Sequence, residues 1–166
     1  MIDLIGFVDA NHDVPRSTTG YIFKLFGNTI SWASIRQTLV ALSSSGAEWD
    51  ALHEAAKEAR YLRHLAAFLG LHMKNTLRLY EDNAAVIKWT TRELTGQFKR
   101  RKFLELRTMF VIEACSRGWI EVVGVKSCNN IADFFTKILA AIHQQKFMKY
   151  VLLPACKLVL PHTNED

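Results

Sequence analysis

Cysteine is scarce and unpatterned: Cys115, Cys128 and Cys156 are the only three in 166 residues, and none forms a C-x-x-C pair. An odd, widely spaced set excludes a disulfide framework and a cysteine zinc site, and points to a reduced, intracellular protein. No uncharged apolar run approaches the ~20 residues that a membrane-spanning helix needs, so no bilayer crossing is expected. Nor is a secretory signal expected, because Met1 is followed by the acidic Asp3 and then by a strand-like segment, with no basic stretch or cleavage site. Internal repeats, linkers and low-complexity segments are also missing. What is present is an ordinary globular composition, 49% hydrophobic and 22% charged, at the length of one domain. Lys and Arg number 21 against 16 Asp and Glu, a formal charge of +5, which is compatible with a polyanionic partner without identifying one.

The chain opens with strand signals. Residues 4–10 are apolar on both alternating faces until Asp9, as in a strand buried within a sheet. The runs 19–26 and 29–33 read as two more strands joined by a hairpin turn at Gly27 and Asn28. From about Ser45 the period changes. Ala51, Leu52, Ala55, Ala59, Leu62, Leu65, Ala66 and Leu69 recur at three- and four-residue steps, and Gly70 stands where a glycine stops a helix. Residues 76–80 read as a fourth strand and 83–91 as a short helix. After a basic polar segment, 103–117 is helical with Gly118 at its end, 119–125 is a fifth strand, and a last helix is expected from Asn129 or Asn130. The order βββαβαβα implies an α/β domain over residues 1–153, with a mixed five-stranded sheet flanked by helices, and residues 154–166 as a tail.

Four acids fall where a carboxylate is locally awkward. Asp9 ends an apolar strand, Asp82 follows the fourth strand, Glu48 lies on the core-facing stripe of the long helix, and Asp133 is embedded in Ile131-Ala132-Asp133-Phe134-Phe135. Taken singly, each has another use. Glu48 suits a helix N-terminus, Asp82 a helix cap, Asp9 a turn, and Asp133 a solvated helix position. Gathered together, they require cations. Two unit charges ~4 Å apart repel by roughly 4 kcal/mol at an effective dielectric of 20, and an all-oxygen ligand set suits Mg²⁺ or Mn²⁺.

The order and surroundings of these acids carry a resemblance. Six blocks appear in sequence: Phe7-Val8-Asp9-Ala10; Arg16-Ser17-Thr18-Thr19-Gly20-Tyr21; Ile30-Ser31-Trp32; Ser44 to Leu52 around Glu48; Tyr80-Glu81-Asp82-Asn83; and Ile131-Ala132-Asp133 through Thr136-Lys137. From about Leu4 to Leu153 the chain resembles the ribonuclease H domain of copia-type LTR retrotransposon Pol polyproteins. The resemblance implies the ribonuclease H-like fold and two-metal hydrolysis of the RNA strand of an RNA/DNA hybrid, as part of a reverse transcription machinery. It implies two Mg²⁺ ions, replaceable by Mn²⁺. Asp9 would bridge both, Asp133 would hold the ion activating water, and Glu48 and Asp82 would hold the ion at the leaving oxygen. Products would carry 5′-phosphate and 3′-hydroxyl ends, and contacts to the 2′-hydroxyl would tell RNA from DNA.

Under the same resemblance, Lys99, Arg100, Arg101 and Lys102, with Arg92 and Arg107 nearby, form a surface for tracking phosphates, and Arg16, Ser17, Thr18 and Asn83 are further nucleic-acid contacts. A reverse transcriptase is the expected neighbour in the parent polyprotein, and no membrane is expected. The chain departs from the family pattern in places. Phe103 and Met109 replace expected histidines, Gly46 replaces an acid, and Lys126, after the fifth strand, and Ile138 stand where prolines are usual. No histidine lies between Gly118 and Asp133, leaving His12 as the nearest in sequence to Asp9. The four tryptophans, Trp32, Trp49, Trp89 and Trp119, read as core residues. A second functional class stays open: a domesticated module that keeps the fold and binds nucleic acid or a host protein without cutting. A third is a nuclease of the same fold acting on another substrate.

Overall fold

A computed structural model describes residues 3–73, 76–91 and 102–152. The basic residues Arg92, Lys99, Arg100 and Arg101 and the expected tail, 154–166, lie outside the described residues, and of Lys102 only its backbone is described.

Three strands, β1 (Leu4–Asn11), β2 (Thr18–Leu25) and β3 (Asn28–Arg36), form an antiparallel meander. The long helix α1 (Ser44–Phe68) then crosses back, so that β4 (Leu77–Glu81) pairs in parallel with β1. Helices α2 (Ala84–Thr90) and α3 (Lys102–Ser116) lead to β5 (Ile120–Gly124), which is parallel to β4. The five strands lie in the order β3-β2-β1-β4-β5, a mixed sheet with flanking helices. Between β4 and β5 lie the two helices that the sequence reading places at 83–91 and 103–117.

Local signals set the ends of these elements. Ser43 caps α1, its side chain accepting from the Gly46 amide at 3.1 Å. Gly70, at φ +71°, and Gly118, at φ +65°, follow α1 and α3 in the left-handed region that favours glycine.

The two faces of the sheet are covered differently. On one, Leu4, Val8, Phe23, Leu77 and Leu79 pack on the alanine-rich stripe of α1 and on Val111 and Ala114 of α3. On the other, Phe7 and Ile22 meet Ile131, Ala132 and Phe147. Alternation along β1 therefore sends Asp9 to the same face as Phe7.

The last helix differs from the sequence expectation. Residues 127–135 form two short 3-10 turns, Ser127–Asn129 and Ile131–Phe135, and α4 begins only at Ala141 and runs to Leu152. The reason is tertiary. Asn130 is fully buried and extended. Its Nδ2 donates to the Val8 carbonyl of β1 at 2.9 Å, and its Oδ1 accepts from the Ala132 amide at 3.2 Å. Pinned to β1 at that point, the segment turns tightly along the sheet instead of propagating an α-helix. Trp32 also departs from expectation. Trp49 and Trp89 pack edge to face and Trp119 packs against the core, but Trp32 lies on the edge strand β3, 62% exposed, stacked on Phe135.

Candidate active site

Strands β1 and β4 are adjacent and parallel, so their carboxyl ends open at the same edge of the sheet, a common place for ligands in open α/β folds. Asp9 lies near the end of β1, and Asp82 follows β4 directly. The N-terminal part of α1, just past its first turn, brings Glu48 in from one face, and the second 3-10 turn brings Asp133 from the other. One carboxylate oxygen from each of Asp9, Asp82 and Asp133 lies within 4.8 Å of the others, and the same holds for Glu48, Glu81 and Asp82. Asp82 is thus common to both groups.

The supports of these acids are specific. Glu48 accepts from the Ala10 amide at 2.7 Å, tying α1 to the backbone beside Asp9. The hydroxyl of Thr136 donates to Asp9 Oδ2. Lys137 Nζ lies 3.1 Å from Asp9 Oδ1 and 2.7 Å from Asp133 Oδ1. Helix α2 is capped by Asn83, whose Oδ1 accepts from the amides of Ala85 and Val86 at 3.0 and 3.3 Å. Capping therefore does not fall to Asp82.

Glu81 is the acid that sequence reasoning passed over. In β4 it alternates with Leu77 and Leu79 and points with them toward α1, fully buried. Its Oε1 accepts from the Asn83 amide at 2.9 Å, while its Oε2 is buried without a hydrogen-bond partner among the described residues. The period-two pattern of Leu77-Arg78-Leu79-Tyr80-Glu81 held the signal: a carboxylate in phase with two core leucines.

Such packing perturbs the acids strongly. Burial, joined by the charges of Glu81, Asp9 and Asp82, pushes Glu48 up to about 10, against the Ala10 hydrogen bond. Burial pushes Glu81 up to about 8; the Asn83 amide opposes it, and the charges of Asp82 and Asp9 add to it. Asp9 rises to about 7, where burial and the Asp133 charge outweigh the Thr136 hydrogen bond and the Lys137 charge. Burial alone would lower Lys137, yet its bonds to Asp133 and Asp9 hold it above the ordinary lysine value. The ion pair thus favours charge on both partners, and at Asp9 desolvation still wins. Acids crowded and desolvated beyond what nearby bases neutralise, with a buried oxygen lacking any donor, fit a divalent-cation site.

The remaining candidates separate. Arg16 is exposed in the loop after β1, at the same edge as the acids. Ser17 is buried with its hydroxyl unpartnered among the described residues, and Thr18 is half-buried, its amide donating to Asn11 Oδ1. Asn83 is engaged in the cap and reaches Ser45 Oγ at 3.4 Å. Arg107 is paired with Asp50 at 2.9 Å rather than free for phosphate. His12 approaches the Ala41 carbonyl at 3.2 Å and belongs to neither carboxylate group.

Comparison with known proteins gives two consistent results. The chain is 32% identical over 140 residues, 82% of its length, to the retrovirus-related Pol polyprotein from transposon TNT 1-94 of Nicotiana tabacum. It is 28% identical over 148 residues, 87% of its length, to that from transposon RE2 of Arabidopsis thaliana. The chain spans about 10% of the length of each. Among solved structures, LC11-RNase H1, isolated from compost by a metagenomic approach, superposes with TM-score 0.57 at 15% identity, covering 82% of this chain and 94% of that one. The same protein has been solved in complex with an RNA/DNA hybrid. No protein-family model matches the chain.

Proposed function

Since the chain is a relative of the Pol polyproteins of copia-like transposons and has the ribonuclease H fold, we propose that it is a metal-dependent endonuclease that hydrolyses the RNA strand of RNA/DNA hybrids. The observation that carries this reading is the convergence of Asp9, Glu48, Asp82 and Asp133 at the carboxyl ends of two parallel strands, each acid delivered by a different element. A binding module has no physical reason to hold so many mutually repelling carboxylates at one edge. The fold neighbour solved with a hybrid supports the substrate class.

Asp9, Asp82 and Asp133 would hold one Mg²⁺ or Mn²⁺, and Glu48 with Asp82 a second, so that Asp82 takes the shared position that the resemblance assigns to Asp9. Bound there, such ions supply a metal-activated water and charge stabilisation at the departing oxygen. The chain's own residues provide the framework. Glu48 locks α1 to the β1 backbone, Thr136 orients Asp9, and Asn83 frees Asp82 from capping. Arg16, at the rim, and the basic residues Lys99 to Lys102 are proposed to bear on phosphates, whose sequence-independent contacts suit an enzyme that accepts any hybrid. We propose residues 1–153 as the domain, acting beside a reverse transcriptase in a longer polyprotein. Among the described residues, no helix is long and apolar enough to cross a membrane.

The test is cleavage of an end-labelled RNA strand paired to DNA, in Mg²⁺, Mn²⁺ and EDTA, comparing the parent with Asp9→Asn and Asp82→Asn. Metal-dependent cutting lost in both variants is expected. A parent that binds hybrid tightly without cutting it would replace this reading with that of a binding module.

A further inference from the structure

The acid cluster already contains a cation of its own. Lys137 Nζ stands between Asp9 and Asp133, 3.1 and 2.7 Å from one oxygen of each, and these are two of the three acids in the first carboxylate group. Its attachment is short: the Lys137 amide donates to the Asp133 carbonyl at 3.0 Å, so the ammonium is tethered to the acid it pairs with. With Thr136 on Asp9 Oδ2 and Lys137 on Asp9 Oδ1, both oxygens of that carboxylate are taken by consecutive residues. The two donors differ in freedom. The Thr136 side belongs to a buried residue, whereas the Lys137 side chain is 39% exposed and has a path to solvent. Among the described residues, no other base pairs with Asp9 or Asp133.

We propose that Lys137 is a positioning residue that acts as a tethered competitor for the cation site at Asp9 and Asp133. It holds the two carboxylates together before an ion arrives and has to swing outward for that ion to bind. This rests on the metal-dependent reading above and deepens it. A bound ion and the ammonium would compete for the same two carboxylates, Asp9 and Asp133, and two cations repel at that separation. Among the described residues no base pairs with Glu48, Glu81 or Asp82, so that group is the easier one for an ion to enter. Loading of the Asp9 and Asp133 side is the costlier step, made easier when a phosphate of the bound strand takes up the displaced ammonium. The site is thereby biased against holding its full complement of ions without substrate.

The experiment measures Mn²⁺ binding by electron paramagnetic resonance and calorimetry, without nucleic acid, on the full chain with Lys137, Lys137→Arg and Lys137→Met. The parent is expected to show one tighter and one weaker site. In Lys137→Met the weaker site should tighten by roughly two- to fivefold, the worth of one partly exposed ion pair, while the tighter site changes little. Lys137→Arg, which keeps the charge, should stay near the parent. In EDTA, Lys137→Met should melt lower than the parent, because Asp9 and Asp133 lose their bridge; this also shows that the variant folds. Equal Mn²⁺ affinities in parent and Lys137→Met, equal tightening at both sites, or no Mn²⁺ binding by either protein would overturn the proposal. Because no cleavage is involved, a protein that fails to cut hybrid but shows the selective tightening would sink the nuclease reading and leave the role of Lys137 standing.

Discussion

In EDTA, the protein should lose stability as pH rises from 5.5 to 7.5. Asp9, Glu81 and Glu48 have folded-state values near 7, 8 and 10, all above their ordinary values of 3.8 and 4.5, with burial the leading cause in each. The folded protein therefore holds protons that the unfolded chain has released. A raised carboxylate contributes its full stability below its unfolded value, and that contribution is lost as pH climbs to the folded value. The window runs from about 4 to 7 for Asp9 and extends to about 8 and 10 for the glutamates. Each retained proton tilts stability by about 1.4 kcal/mol per pH unit. Because the three acids are neighbours that share their protonation, one excess proton is the safe lower bound. For a domain of this size that corresponds to a fall in Tm of about 3–6 °C per pH unit. Differential scanning calorimetry at pH 5.5, 6.5 and 7.5 reads it directly. Saturating Mg²⁺ should replace the protons, raise Tm most at the highest pH and flatten the slope. A Tm in EDTA that is constant or rises across this range would refute the buried-acid argument.

Glu81→Gln keeps the shape and the Asn83 contact but cannot titrate, so its Tm should fall less steeply with pH than the parent's; an unchanged slope would remove Glu81 from the coupled set. Gly20 pairs with Asp9 across β1 and β2, and a Cβ there would stand 2.6 Å from Thr136 Cγ2 and 2.9 Å from Phe135 Cβ. Gly20→Ala should destabilise by about 1–3 kcal/mol by overpacking and push Thr136 and Lys137 away from Asp9, seen as lower denaturant midpoints and weaker hybrid cleavage. Asn130→Ala removes the bonds to Val8 and Ala132 and leaves a buried carbonyl and amide unpaired, a loss of about 2–4 kcal/mol in urea unfolding. Trp32→Ala, at an exposed stacking position, should cost about 1 kcal/mol or less, and a core-sized loss would contradict its place on the edge strand.

Much of this architecture is written locally. The meander, the long alanine-lined helix with its serine cap, and the glycines after α1 and α3 follow from periodicity and end signals whose partners lie within a few residues. The acids at strand ends were likewise visible, because a carboxylate breaking an apolar run stands out without any knowledge of its neighbours. Glu81 was visible in principle, but its phase with Leu77 and Leu79 gains meaning only once α1 and Glu48 are known to cover that face.

What the tertiary structure decided are the relations that span the chain. A capping asparagine before Ile131-Ala132 suggests a helix from Asn129 or Asn130, yet Asn130 binds the backbone of β1 from 122 positions away, and that contact turns the segment into 3-10 geometry. Trp32 has the size of a core residue, but β3 is an edge strand, so its ring stacks outside on Phe135. The pairing of Lys137 with Asp9 is separated by 128 residues, and no local pattern encodes it. The sequence by itself determined which segments become strands and helices and which acids are out of place, because backbone propensity and side-chain period act over one or two turns. Only the folded chain decided which acids share a site, which lie buried and unpaired, and which ammonium stands among them, because electrostatics and desolvation depend on distance in space rather than along the chain.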